Sequence, residues 1–166
     1  MKYIQNIDTI KYDSDFWKYL EYINNTEFSD NMPDNQEEDK YLYLGCQKGA
    51  KALKTIEKYI AQAEVMFSYV MHLNGSNKLQ WGSPFIPKHH NSRYDNAKSY
   101  LHKHDLWTYH GIIMLENQKE IIDFIKPMKN YPSAAHYVNF YLFLCTNIVL
   151  EIGHHNEVFF YQKNTL

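Results

Sequence analysis

The sequence predicts a single, mainly α-helical domain with a minor β component. Its 166 residues match the usual length of one domain. A hydrophobic content of 45%, of which aromatic residues supply a large share, is enough to build a packed core. Residues 47–73 contain no proline and carry apolar residues at helical spacing. No linker or internal repeat interrupts the chain, so we assign residues 1–166 to one globular domain.

Four helices are expected in chain order. Asp13 and Ser14 can cap a short first helix. The longest helix should follow over residues 47–73, where the second half is apolar on both sides and is predicted to be buried or to dock on a partner. Helical patterns return over residues 92–104 and 117–126, the second one stopped by Pro127.

The β component is predicted at the two ends of the chain. Residues 2–7 and 157–162 alternate in the manner of strands, and we expect them to pair with each other. Residues 107–115 fit either a strand or a loop. Residues 137–150 are rich in Tyr, Val, Phe and Ile, which fit a buried helix and a buried strand equally well. The alternative fold is therefore an α+β domain with residues 137–150 in a sheet.

The charge pattern disfavours direct nucleic-acid binding. Nineteen acidic residues outnumber seventeen basic ones, and the formal net charge is −2. Proteins that bind a phosphate backbone usually concentrate Lys and Arg on one face. Arg93 is the only arginine, so the side chain that best grips phosphate with two hydrogen bonds is almost missing.

Cysteine usage and hydropathy indicate a cytoplasmic protein that does not enter a membrane. Cys46 and Cys145 form no closely spaced ligand pair, and we interpret both as buried reduced thiols. The first residues lack the apolar stretch of a secretory signal. Residues 130–150 carry no charged side chain, but Pro132, Asn139 and other polar residues interrupt them too often for a membrane-spanning segment.

One segment of the chain is strongly acidic. Residues 30–39 hold five carboxylates and no basic residue, and Pro33 discourages helix there. Such a segment can be a solvated loop that keeps the protein soluble, or it can imitate a phosphate backbone and steer a basic protein into place. Exposed aromatic side chains nearby would anchor the contact. The predicted partner-binding residues are Asp30, Asp34, Glu37, Glu38, Asp39, Trp81 and Phe85.

The histidines suggest a competing function. Nine are present, and several fall within residues 89–110. A His-x-His pair beside a carboxylate can bind zinc, so a metal-dependent hydrolase or nuclease is the alternative function. The spacing is generic, and solvated or hydrogen-bonded imidazoles are the simpler explanation for it. The histidines concerned are His89, His90, His102, His104 and His110, with Asp105 as the nearest carboxylate.

An acidic, aromatic chain without a catalytic motif, carrying Asp34, Glu37, Glu38 and Asp39 on one segment, resembles the immunity proteins of bacterial toxin systems. The resemblance is strongest to those of contact-dependent growth inhibition. It implies a non-enzymatic protein that binds a cognate toxin, often a nuclease, and blocks its substrate-binding surface. It implies no cofactor, no metal and no catalytic residue. A homodimer or scaffold built on residues 47–73 is a further alternative.

Overall fold

The computed structural model shows an α+β protein in which one antiparallel sheet carries three helices. The strands and helices take up similar lengths of chain. The expectation of a mainly α-helical domain is therefore wrong. The residues that the structure describes are 1–4, 41–62, 67–73, 92–109, 112–129, 139–144, 148–152 and 157–163.

Seven strands form the sheet, and every neighbouring pair is antiparallel. Their order across the sheet is β1-β4-β3-β5-β6-β7-β2, which places β1 and β2 at the two edges. The strands are β1 (Lys2–Ile4), β2 (Tyr41–Lys48), β3 (Ser68–Leu73), β4 (Ile112–Leu115), β5 (Asn139–Leu144), β6 (Ile148–Ile152) and β7 (Glu157–Lys163).

The three helices are α1 (Gly49–Gln62), α2 (Ser92–Lys103) and α3 (Gln118–Met128). The helices expected over residues 92–104 and 117–126 are confirmed. Pro127 does not stop α3 where expected, because the helix runs one residue beyond it. Asn117 caps α3, since its side chain accepts a 2.9 Å hydrogen bond from the backbone N–H of Glu120.

The helix expected over residues 47–73 is only half right. Helix α1 ends at Gln62, and Ser68–Leu73 is a strand with a neighbour on each side. Short apolar runs fit the helical repeat and the strand repeat equally well. Here the aromatic and β-branched residues Tyr69 and Val70 favour the strand. The apolar residues that looked like a second helical face therefore belong to the middle of the sheet.

The two ends of the chain do not pair with each other. Strand β1 pairs with β4, and β7 lies between β6 and β2. The strand expected over residues 157–162 is confirmed, but its predicted partner is wrong. The alternative of residues 137–150 in a sheet agrees with strands β5 and β6. All five residues of β6 are buried, which explains why its sequence shows no alternation.

The helices cover one face of the sheet and bury the main core there. Alternate strand residues such as Val70, Leu142 and Leu150 belong to the same buried cluster as Ile56 of α1 and Phe124 of α3. Val149 and Tyr161 are also buried, but they occupy the other set of alternate positions and so lie on the opposite face. No helix within the described ranges is long and apolar enough to cross a membrane.

Candidate interaction surface

The partner-binding residues predicted from the sequence lie outside the described residues. They are Asp30, Asp34, Glu37, Glu38, Asp39, Trp81 and Phe85. The distance along the chain between the acidic segment and the described fold is nevertheless known. The acidic segment, residues 30–39, ends two residues before Tyr41, where the edge strand β2 begins.

Strand β2 presents large apolar side chains to solvent. Tyr43 is 49% exposed and Leu44 is 40% exposed. The third large apolar residue exposed in the described chain, Tyr3, has a structural role, because its hydroxyl donates to the backbone carbonyl of His104 and its ring packs edge-on against Tyr109. Tyr43 and Leu44 are neighbours on the edge strand and form an exposed apolar pair, although the ring of Tyr43 also contacts the ring of Tyr161.

The edge strand carries a β-bulge beside these side chains. The register with β7 shifts between Tyr43 and Gly45, so Leu44 is the extra residue. Gly45 has φ +126°, a conformation that residues with a Cβ rarely adopt. Apart from its two chain neighbours, no described residue has an atom within 4 Å of a Cβ placed on Gly45. The bulge thus leaves room beside an exposed leucine.

Residues of β2 alternate between the two faces of the sheet. The side chain of Gln47 accepts a hydrogen bond from the Thr55 hydroxyl of α1, so Gln47 faces the helices. Its neighbours Cys46 and Lys48 consequently point to the opposite face. Lys48 pairs there with Glu157 of β7, with 2.9 Å between Nζ and the carboxylate.

A buried carboxylate lies inside this corner of the sheet. The ring of Tyr43 is 5.4 Å from that of Tyr161, whose hydroxyl is 3.2 Å from Oε2 of Glu151. Glu151 is only 3% exposed. Burying a carboxylate among apolar strands costs free energy unless hydrogen bonds stabilise it. We name Tyr43, Leu44, Glu151, Glu157 and Tyr161 the β2 corner.

Carboxylates and a lysine both act on the titratable groups of the β2 corner. Burial, followed by the charges of Glu157 and Glu151, raises the pKa of the Cys46 thiol, although Lys48 opposes this. Burial and the same two carboxylates also raise the pKa of Tyr43. Cys46 is exposed, so the expectation of a buried thiol is wrong, while Cys145 lies outside the described residues. A thiol with a raised pKa is a poor nucleophile, which makes a catalytic role for Cys46 unattractive.

The described histidines of the candidate metal cluster take part in ring contacts. His102 stacks on Trp107 with 4.7 Å between ring centroids and 15° between planes. The ring of His104 lies 4.4 Å from that of Tyr100, and burial lowers the pKa of His104. No group of three His, Cys, Asp or Glu side chains suited to a metal occurs among the described residues. His89, His90 and His110 lie outside them.

The carboxylate of this cluster belongs to a helix end. The N–H of Asp105 donates to the carbonyl of His102 at 3.1 Å, and the N–H of Leu106 donates to that of Leu101 at 2.7 Å. Asp105 has φ +53°. These two bonds and the left-handed residue form a Schellman motif, in which Leu101 and Leu106 are both buried in the same core cluster. The His-x-His-Asp pattern therefore has a structural explanation as the end of α2.

Comparison of the chain with protein-family models, with curated proteins and with solved structures gives no match in any of the three.

Sequence reasoning missed the residues that form the β2 corner. A signal for one of them was present, since Glu151 is the one charged residue in a run that is otherwise apolar from Ile148 to Ile152. Carboxylates are almost never fully buried unless they are paired, so a carboxylate in such a run indicates a buried interaction. Tyr43 and Leu44 gave no comparable signal, because their exposure depends on the position of β2 at the edge of the sheet.

Proposed function

We propose that this protein is an immunity protein that binds a cognate bacterial toxin and covers its substrate-binding surface. The observation that carries the proposal is the β2 corner, where exposed apolar side chains lie beside two carboxylates. Interfaces are anchored by a few large apolar or aromatic side chains in a polar surrounding. The protein would act by covering the substrate-binding surface of the toxin and would catalyse no reaction itself.

The position of the acidic segment in the chain supports a basic partner. The five carboxylates of residues 30–39 come shortly before β2 in the sequence, and Glu157 lies on the neighbouring strand β7, where it pairs with Lys48 of β2. A nuclease domain has to attract a polyanion and therefore carries a basic cleft. Carboxylates next to an apolar anchor can compete for that cleft and accelerate encounter with it.

Coexpression tests this function directly. The C-terminal domain encoded by the adjacent upstream reading frame is expressed in a bacterial host with and without this protein, and growth is recorded. We expect the domain to be toxic alone and harmless when the protein is present. Continued toxicity despite stable expression of both chains would refute the proposal for that pair.

Charge substitutions then test how the toxin is recognised. Replacing Asp34, Glu37, Glu38 and Asp39 by the matching amides should slow association with the toxin by about tenfold or more at low salt, and much less at high salt. The dissociation rate should change little. A control protein loses the same amount of charge elsewhere through Glu57→Gln, Asp95→Asn, Asp105→Asn and Asp123→Asn. Equal slowing in both proteins would show that only the overall charge matters.

A further inference from the structure

We propose that the α-amino group of Met1 is a modification site whose acylation releases strand β1 from the sheet. The modifying group is a small acyl group, supplied by an acyl thioester. The inference goes beyond the proposed function and does not depend on it. It concerns the edge of the sheet opposite β2, where β1 pairs with β4.

Strand β1 is short, so each of its contacts matters for its docking. It has three residues, of which Lys2 and Tyr3 are exposed. Its backbone pairs with β4 at three positions, and Tyr3 adds a hydrogen bond to His104 and a ring contact with Tyr109. The ammonium of Met1 adds two ion pairs, so loss of its charge removes a substantial part of what holds the strand.

The ammonium lies between two carboxylates at the start of α3. Its nitrogen is 2.7 Å from Oε2 of Glu116 and 2.6 Å from Oε1 of Glu120. The Met1 side chain is only 9% exposed and packs against the core cluster. Charges that are partly shielded from water attract each other more strongly than charges in full solvent. The nitrogen is therefore held both by two charged partners and by the packing of its own side chain.

Acylation would break this arrangement. The amide nitrogen that it creates has no charge and a single N–H, so it can donate to only one of the two carboxylates. The new carbonyl oxygen can only accept hydrogen bonds, and it would approach two carboxylates that have none to donate. Lys2 pairs with Glu116 at 3.2 Å, but its side chain is 66% exposed and can compensate only in part.

The folded state also restrains the reaction itself. The neutral amine attacks the thioester carbonyl, a C–N bond forms, the C–S bond breaks, and the proton lost by the nitrogen ends on the leaving thiol. Burial lowers the pKa of the Met1 ammonium, but its hydrogen bonds to Glu116 and Glu120 outweigh burial and raise it. The protonated nitrogen cannot attack. Acylation therefore competes with the docking of β1 and succeeds only while the strand is open.

Release of β1 would uncover the neighbouring strand. Strand β4 lies between β1 and β3, and its residues Ile112, Ile113 and Leu115 are fully buried. An apolar strand with an unpaired edge tends to pair with other chains. The acylated protein should therefore be less stable and more prone to association, while β2 at the far edge keeps its pairing with β7.

Labelling of the unmodified protein tests whether the fold protects the site. Folded protein and protein unfolded in urea are treated briefly with an acetyl thioester at about pH 7, where an α-amine normally reacts before lysine. Peptide mass spectrometry then measures acetylation at each amine. We expect Met1 to react at least about tenfold more slowly in the folded protein, because β1 must open first. The exposed Lys54 should react similarly in both samples.

Substitutions separate ion pairing from burial. The double variant Glu116→Gln, Glu120→Gln should return most of the lost reactivity to Met1 in the folded protein, because the amine is no longer held protonated. Glu57→Gln removes an exposed carboxylate of α1 and is the control, which should leave Met1 protected. Protection that survives the double substitution would come from burial alone and would overturn the inference.

Modified proteins test the release of β1. Unfolded protein is acetylated or reductively dimethylated at the α-amine at about pH 6.5, where lysines react slowly, and is then refolded. Dimethylation adds bulk but keeps the positive charge, whereas acetylation removes the charge. In hydrogen exchange, the amides of residues 2–4 should exchange at least about tenfold faster in the acetylated form than in the dimethylated form. The amides of α1 should not differ.

The remaining outcomes also decide the inference. Failure of the acetylated form to refold, while the dimethylated form refolds, would support it. Equal labelling of Met1 in folded and unfolded protein, or equal exchange in the two modified forms, would overturn it. These results leave the proposed function untouched, since that function is judged by relief of toxicity.

Discussion

Asp105 holds a backbone conformation that most residues avoid. Its φ of +53° is imposed by the two hydrogen bonds that end α2. Left-handed conformations cost residues with a Cβ free energy, although Asp and Asn tolerate them better than others do. The residue thus shows how a pattern that resembles metal chemistry can arise from chain geometry.

We predict that Asp105→Gly stabilises the protein by about 0.5–1 kcal/mol, because glycine adopts this conformation without strain. Asp105→Val should destabilise it by about 1 kcal/mol or more, since a β-branched residue fits the left-handed region poorly. Unfolding in urea measures both. Ser99→Gly, at an exposed position inside α2, is the control and should lower stability by about 0.5 kcal/mol. A loss of stability in Asp105→Gly would contradict the assigned helix end.

Tyr161 is the second residue whose role a single substitution can test, because its hydroxyl can be removed alone. It stands 3.2 Å from Oε2 of Glu151, and both side chains are buried. Tyr161→Phe should lower the free energy of unfolding by about 1–3 kcal/mol, because a buried carboxylate loses a donor. Tyr43→Phe removes the hydroxyl of the exposed tyrosine that packs on Tyr161. It should change the free energy of unfolding by less than about 0.5 kcal/mol. Similar losses in the two variants would remove the special role given to Tyr161.

At the scale of elements, the N-terminal ammonium fastens β1 to the start of α3. It lies 2.7 Å from Glu116 and 2.6 Å from Glu120. Glu120 also accepts a 2.8 Å hydrogen bond from the N–H of Glu116, just before the helix. Burial lowers the pKa of the ammonium, but its hydrogen bonds to the two carboxylates outweigh burial and raise it above 8.0.

The ion pairs of the N-terminal ammonium with Glu116 and Glu120 predict that stability falls as the pH becomes alkaline. A group whose pKa is raised on folding stabilises the protein fully below its unfolded pKa and loses that effect as the pH passes its folded pKa. The free energy of unfolding should therefore decline as the pH rises from about 8 through the higher folded pKa of the ammonium. The double variant Glu116→Gln, Glu120→Gln should show a smaller decline, and Glu57→Gln should keep the full one. An unchanged slope in the double variant would assign the pH dependence to other groups.

Elements with a clear helical stripe could be predicted, whereas short apolar runs could not. The two later helices follow from their spacing, and β7 follows from its alternation. Strand β3 was assigned to a helix, because Phe67 and Val70 satisfy helical spacing as well as strand spacing. Its choice of structure comes from pairing with β4 and β5, which lie about 45 and 75 residues further along the chain.

At the scale of the whole molecule, the acidic segment can be identified from the sequence alone, whereas the β2 corner cannot. Glu151 and Glu157 are neighbours in space of Tyr43 and Cys46 only because β2 joins the far side of β7. No local pattern encodes that pairing. The aromatic content predicted a packed core, but it could not tell which tyrosines would face solvent.

The strand order also determines when the molecule can be completed. Strands β5, β6 and β7 form a local meander, whereas β1 and β2 each find their partner more than a hundred residues later in sequence. During synthesis the edge strand of the β2 corner must therefore wait until β7, more than a hundred residues further along, has been made. Pairings between distant segments form slowly because the intervening chain must first be ordered. A chain that stops before Glu157 would accordingly lack the strand that holds Tyr43 and Leu44 at the edge of the sheet.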